Sequence, residues 1–129
     1  ELEDRPRSPQ TLRAAIHYVT AETARDLADL ERSLRTLWAC FNHRRDYPVI
    51  VFHEGLSLAG RLRIARGSEN RVWFVLLPRF AEVPPEWAEP ARSLAQEFSV
   101  GYRAMIRWRS GPVFLEPALV GFDYAMTLD

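Results

Sequence analysis

Lysine is missing from this sequence. All 17 basic residues are Arg, 17 Asp and Glu balance them, and the formal net charge is zero at pH 7. A balanced chain has no global field to draw nucleic acid or an anionic membrane surface, so neither is expected as a partner. An all-arginine basic set fits GC-rich coding, and it also supplies cations that stay charged when partly buried and grip phosphate bidentately. Cysteine is nearly missing too. Cys40 stands alone, which excludes an intrachain disulfide and any cysteine-based metal site. Its place on an apolar helix face predicts a buried structural thiol. No apolar run reaches the roughly 18 residues of a membrane span, and no signal-peptide pattern is present. The chain opens on Glu1 rather than Met and stops on Asp129; both ends read as the boundaries of a piece.

Several catalytic signatures are absent as well. No Gly-x-Gly-x-x-Gly follows a strand, and no Gly-x-x-x-x-Gly-Lys-Ser/Thr loop occurs. There is no Gly-x-Ser-x-Gly elbow, and the three His lack zinc-site spacing. Hydrolase and zinc chemistry are therefore unsupported.

What is present is a foldable chain: 129 residues with 47% hydrophobic content make one domain or a part of one. Residues 1–12, with Pro6 and Pro9, read as a linker or stem. Residues 14–20 form a short apolar run that predicts a buried strand, with His17 as a core histidine. Thr23 is placed to cap a helix, with Asp26 as its partner. Leu27, Leu30, Leu34, Leu37, Trp38 and Phe41 then recur at three- and four-residue steps, while Glu31 and Arg35 lie one turn apart on the polar side. Pro48 forces Tyr47 into extended geometry, and residues 48–55 predict a second strand. Strand, long helix and strand make a βαβ unit with parallel strands. A second helix is expected over 56–65 and a third strand over 72–77, apolar on both faces as in a sheet covered on both sides. The proline-rich loop 78–90 carries Trp87, as a packed lid or a ligand contact.

Residues 91–110 predict a helix with a break near Gly101, on which Met105 and Trp108 face the core. Arg103 and Arg107 share a face at i,i+4, either to hold a diphosphate or to pair with acids. Pro112 ends that helix. A last strand over 122–129 delivers Asp129 at its C-terminal end, where open α/β sheets place ligand-binding residues. A carboxylate so placed suits a nucleotide-sugar transferase, in which an acid binds a divalent cation bridging a diphosphate. Strands commonly end in Asp, so other α/β roles stay open on this reading.

Three blocks add a family resemblance. They are Ala15-Ile16-His17-Tyr18-Val19-Thr20 with the following Leu30-Glu31-Arg32-Ser33-Leu34; then Phe41-Asn42 with Tyr47-Pro48-Val49-Ile50-Val51-Phe52-His53-Glu54; then Gly101-Tyr102-Arg103, Met105, Arg107, Ser110-Gly111, Pro117-Ala118-Leu119 and Phe122-Asp123-Tyr124. In order and approximate spacing they span residues 15 to 129. On them the chain resembles the fungal-type Golgi α-1,2-mannosyltransferases, glycosyltransferase family fifteen. The resemblance implies an α/β fold of the GT-A (Rossmann-like) nucleotide-diphospho-sugar transferase type, mainly parallel and flanked by helices, with residues 13–129 as its N-terminal half. It implies transfer of mannose from GDP-mannose to a mannose-containing acceptor, with Mn²⁺, on the lumenal side of the Golgi membrane through an anchor outside this chain. It places Thr20 and Tyr102 at the nucleotide and Asp129 at the metal. Arg103 and Arg107 are expected to support the diphosphate or anchor the helix. The nucleophile is expected beyond Asp129, so the segment alone should be catalytically silent. Ala21, Ala104 and Thr127 depart from the family's usual basic residue, His and Arg, and Asp129 stands where the family has Glu. Two alternatives remain: a different donor sugar, or a non-catalytic nucleotide-sugar-binding or interaction module on the same scaffold.

Overall fold

The computed structural model describes residues 13–78, Phe80, Glu86 and 99–129. In chain order the elements are β1 (Ala14–Thr20), α1 (Ala24–Cys40), β2 (Val49–His53), α2 (Leu58–Gly67), β3 (Val72–Leu76), α3 (Val100–Arg109) and β4 (Tyr124–Thr127). Short 3₁₀ turns lie at Asn42–Arg44 and Pro112–Leu115. The four strands form one sheet in the order β3-β2-β1-β4, and every pairing is parallel. This is the α/β architecture expected.

Parallel pairing explains the apolar strands. β1 and β2 are central, are covered on both faces, and are buried almost throughout. One face carries Ile16, Tyr18, Val49 and Val51 against Leu27, Leu30, Leu34 and Leu37 of α1 and Ile64 of α2. The other carries Ala15, Ile50 and Phe52 against Val113, Leu119 and Trp108. Alternation along each strand thus feeds two cores.

Local chemistry sets the helix starts. Thr23 Oγ1 accepts from Asp26 N at 3.0 Å and donates to Asp26 Oδ2 at 2.7 Å. Ser57 and Ser99 cap α2 and α3 by accepting from Gly60 N and Tyr102 N at 3.0 and 3.1 Å. Such caps satisfy amide donors that the first turn leaves unpaired.

Several expectations change. Cys40 is exposed, because it closes α1 beyond Leu37, the last buried residue of the stripe. Phe41 falls outside the helix and is 39% exposed, with its ring tilted against Tyr47 at 6.0 Å. Glu31 takes a bidentate partner on another helix, accepting from Arg63 Nε and Nη2 at 2.8 and 2.7 Å. A planar fork across α1 and α2 outcompetes the exposed i,i+4 pairing with Arg35. β3 is covered only in part: Val72 and Phe74 pack on the first core and Val75 on the second, but as an edge strand it leaves Trp73 61% and Leu76 67% exposed. The helix expected over 91–110 begins at Val100 within the described region; residues 91–98 and Trp87 lie outside the described residues.

A buried amide pair, unanticipated from sequence, closes the lower edge of the first core. Asn42 Nδ2 donates to Asn70 Oδ1 at 2.8 Å and to the Tyr47 carbonyl at 2.9 Å, and Asn42 Oδ1 accepts from Tyr47 N at 2.9 Å. Asn70 Nδ2 in turn donates to the Leu34 carbonyl at 2.9 Å. The pair ties the α1–β2 connection to the α2–β3 connection.

Candidate functional site

The chain runs outward from β1 through β2 to β3, then returns to place β4 on the other side of β1. The strand order therefore reverses between β1 and β4. In parallel α/β sheets that reversal opens a crevice at the C-terminal ends of the strands, where ligands bind. An open pocket of about 630 Å³ lies there. Thr20 and Ala21 come to it from the end of β1, Glu54 from beyond β2 and Asp129 from beyond β4. Ser99, Gly101 and Tyr102 bring the N-terminus of α3 to the same wall. That terminus carries partial positive charge suited to an anion.

Its electrostatics are lopsided. The described lining holds Asp26, Asp29, Glu54 and Asp129 and no basic side chain. Three of these acids are occupied locally. Asp26 serves the Thr23 cap, Asp29 lies 3.8 Å from Arg25 and 3.7 Å from Arg32, and Glu54 accepts from Phe80 N. Asp129 is paired with the guanidinium of Arg109, whose side chain is 20% exposed against 85% for the aspartate.

Behind Asp129, His17 is fully buried with Nε2 2.8 Å from Thr127 Oγ1. Its Nδ1 is buried without a hydrogen-bond partner among the described residues. An unpaired nitrogen costs least as a bare acceptor, which favours the tautomer with the proton on Nε2, donating to Thr127. Burial, and secondarily Arg109, hold the ring below its ordinary pKa and keep it neutral. Across the sheet His53 Nδ1 accepts from Leu56 N at 2.9 Å. Burial and then Arg61 lower its pKa, against a raising influence of Glu22. Glu22 braces the α2 N-terminus through Ser57 N at 2.8 Å and the Ser57 hydroxyl, contacts that hold its carboxyl below the usual range.

Solved mannosyltransferase structures share this fold. Core-mannan synthase A (CmsA/Ktr4) from Aspergillus fumigatus, in its Mn/GDP form, matches with a TM-score of 0.69 and 25% identity over 94% of this chain. The mannosyltransferase Ktr4p from S. cerevisiae matches with a TM-score of 0.73 and 18% identity over 92% of this chain. The same enzyme in complex with GDP gives 0.69 and 16% over 89%. The fold is shared with part of these mannosyltransferases, whose structures are of the GT-A glycosyltransferase type. The chain covers 35%, 32% and 32% of those three chains, nearer a third of their length than a half. No family model matches the chain, and no curated protein matches it.

Within this fold the structure gathers Thr20, Tyr102 and Asp129 around one pocket, although they are far apart in sequence. It does not bring Arg103 or Arg107 there: both are exposed on α3, and neither lines the pocket. Nor do they form an ion pair among the described residues. Trp108 faces the core as expected, its ring centroid 5.0 Å from that of Phe52, whereas Met105, expected there too, lines the pocket and joins neither core cluster. Glu54 and Arg109 were not anticipated. Glu54 follows the same strand-end rule that singled out Asp129. Arg109 follows the inward Trp108 directly, so it flanks the buried face, a position that i,i+4 spacing to another arginine does not reveal.

The resemblance implies a divalent cation at Asp129. Among the described residues no group of three His, Cys, Asp or Glu could hold a metal ion, and the Asp129 carboxylate already engages Arg109. These residues do not fit a cation site by themselves; they offer one carboxylate toward it.

Proposed function

We propose that this chain forms the donor-nucleotide half-site of a glycosyltransferase that moves mannose from GDP-mannose to a mannose-containing acceptor. The observation that carries the reading is the pocket at the β1/β4 reversal, where Thr20, Tyr102 and Asp129 converge. The likeness to a core-mannan synthase whose structure is a Mn/GDP form supports GDP as the nucleotide.

In this reading the Thr20 hydroxyl at the end of β1 meets the nucleoside, and Tyr102 packs along it from the α3 N-terminus. The amides of that terminus face the diphosphate, whose charge the helix dipole favours. Mn²⁺ would meet one carboxylate here, Asp129, and would supply positive charge opposite the departing diphosphate; among the described residues no group of three supplies the rest of its ligands. The acceptor and the attacking group lie outside this segment. By resemblance alone, the complete protein sits on the lumenal side of the Golgi membrane; among the described residues no helix is long and apolar enough to cross a membrane.

Calorimetry with GDP, UDP and ADP on the complete protein tests the donor assignment. GDP should bind at least tenfold tighter than the others, and Tyr102→Ala should weaken it about tenfold, the value of losing one aromatic stacking contact. Preference for UDP would transfer the reading to another donor sugar. A non-catalytic module has one observation in its favour, the engagement of Asp129 by Arg109; GDP binding without turnover in the complete protein would select it.

A further inference from the structure

We propose that Glu22 is a positioning residue of the donor pocket: its carboxylate pins the β1–α1 turn to the N-terminus of α2 and so fixes the wall made by Thr20 and Ala21. The proposal rests on the donor-site reading above. β1 ends at Thr20 and Thr23 caps α1, so Ala21 and Glu22 alone join them. Thr20 and Ala21 line the pocket, whereas Glu22 does not. Its side chain instead reaches Ser57, 35 residues further along, accepting from Ser57 N at 2.8 Å and from the Ser57 hydroxyl. Thr20 Oγ1 donates to the adjacent Ala21 carbonyl at 3.3 Å, a long bond within the turn itself. The tie from this turn to the α2 side of the fold is therefore the Glu22 carboxylate.

The anchor is fixed, and the seat for the carboxylate is built in. Leu56 is buried in the first core and its amide donates to His53 Nδ1 at 2.9 Å, so the residue before Ser57 is held in place. Ser57 is fully committed. Its Oγ accepts from Gly60 N at 3.0 Å while its hydroxyl proton goes to Glu22, and a hydroxyl has one proton to give. Gly60 lies in the first turn of α2, where its backbone is helical and any residue could follow it. What calls for glycine there is room: a Cβ would stand 3.0 Å from Glu22 Oε1 and 3.5 Å from Ser57 Oγ. Glycine is otherwise a poor helix former. The positive end of α2 favours a carboxylate at this place, and the Ser57 hydroxyl and then its amide hold Glu22 below the usual range, ionised at neutral pH. The tie lies at the surface, yet both bonds are charge-assisted and converge on one fixed residue.

The same bonds could serve α2 alone, as support for its cap, and the test separates the two roles. It uses the complete protein, with GDP binding by calorimetry and stability by urea unfolding. Glu22→Ala should bind GDP about tenfold more weakly, a modest case of misplacing a positioned group. Glu22→Gln, which keeps an acceptor for Ser57 N, should stay within about threefold of wild type. Ser57→Asp is the deciding variant. Asp caps a helix as well as Ser does, but a second carboxylate repels Glu22, so α2 stays capped while the turn is released; GDP binding should fall about tenfold. Arg63→Ala breaks the other tie between α1 and α2, to Glu31, and should leave GDP affinity within about twofold. If Glu22→Ala does not fold, Ser57→Asp carries the test. GDP affinity within about twofold of wild type in Ser57→Asp, or a loss in Arg63→Ala as large as in Glu22→Ala, would overturn the proposal while GDP binding by the wild type upholds the donor reading. A wild-type protein that does not bind GDP would overturn the donor reading itself, and this proposal with it.

Discussion

Replacing Asn42 with Ala should destabilise the protein by about 2–4 kcal/mol, although Asn42 lies far from the pocket. The side chain is completely buried and makes three hydrogen bonds, two to the Tyr47 backbone and one to Asn70 Oδ1. Truncation strands all three partners. Asn70 Oδ1 lies inside the buried pair and keeps its full desolvation penalty, about 1–3 kcal/mol. The Tyr47 amide and carbonyl are part-buried, so water can reach them, and each loss is nearer the net value of about 0.5–1.5 kcal/mol. The three share one side chain and do not add fully, which brings the sum to the range given. Urea unfolding of the complete protein, followed by far-ultraviolet circular dichroism, reads the effect as a lower midpoint at unchanged slope. A loss under about 1 kcal/mol would mean that water replaces the amide and that the pair does not seal the core as argued.

Three further outcomes follow from named contacts. Stability should hold steady above about pH 6.5 and fall as pH drops below it, because His17 and His53 are both held below the ordinary value of 6.5 and the unfolded chain takes up protons first. His17→Gln should flatten that acid limb, and a protein that gained stability on acidification would contradict the burial argument. Thr23→Ala should cost about 1 kcal/mol in urea unfolding through loss of the α1 cap; no measurable change would show the cap to be redundant. The isolated segment should self-associate through β3, where Trp73 and Leu76 are exposed on an edge strand. Trp73→Lys should shift its sedimentation toward monomer, and a sharp monomeric boundary for the unmodified segment would refute the idea.

Where the sequence was legible, one local rule and the tertiary structure agreed. The run Ala14–Thr20 is apolar because β1 sits centrally in a parallel sheet, and its bounds follow from the residues themselves. The α1 stripe of Leu27, Leu30, Leu34 and Leu37 and its Thr23 cap are local signals that tertiary packing left intact. The strand-end rule led to Asp129, and the reversal at β1/β4 set it across from Thr20 and Tyr102. What stayed hidden depends on partners distant in sequence. Asn42 and Asn70 are ordinary turn residues until the two connections meet. Glu31 chose Arg63 over Arg35 because α2 packs beside α1. β3 has the composition of a covered strand but lies at the sheet's edge. Arg109 owes its position to the end of β4 rather than to any spacing within its own helix.

The central claim is that the crevice between β1 and β4 serves a sugar transferase. It is tested most directly by assaying mannose transfer from GDP-mannose by the complete protein with Mn²⁺, beside Asp129→Ala. The account predicts turnover in the wild type and its collapse by at least a hundredfold in the variant, the scale of losing a metal ligand's support at the reacting diphosphate. Turnover that survives the substitution would keep the enzyme and remove Asp129 from its site. No turnover with GDP-mannose or any other nucleotide sugar would contradict the account.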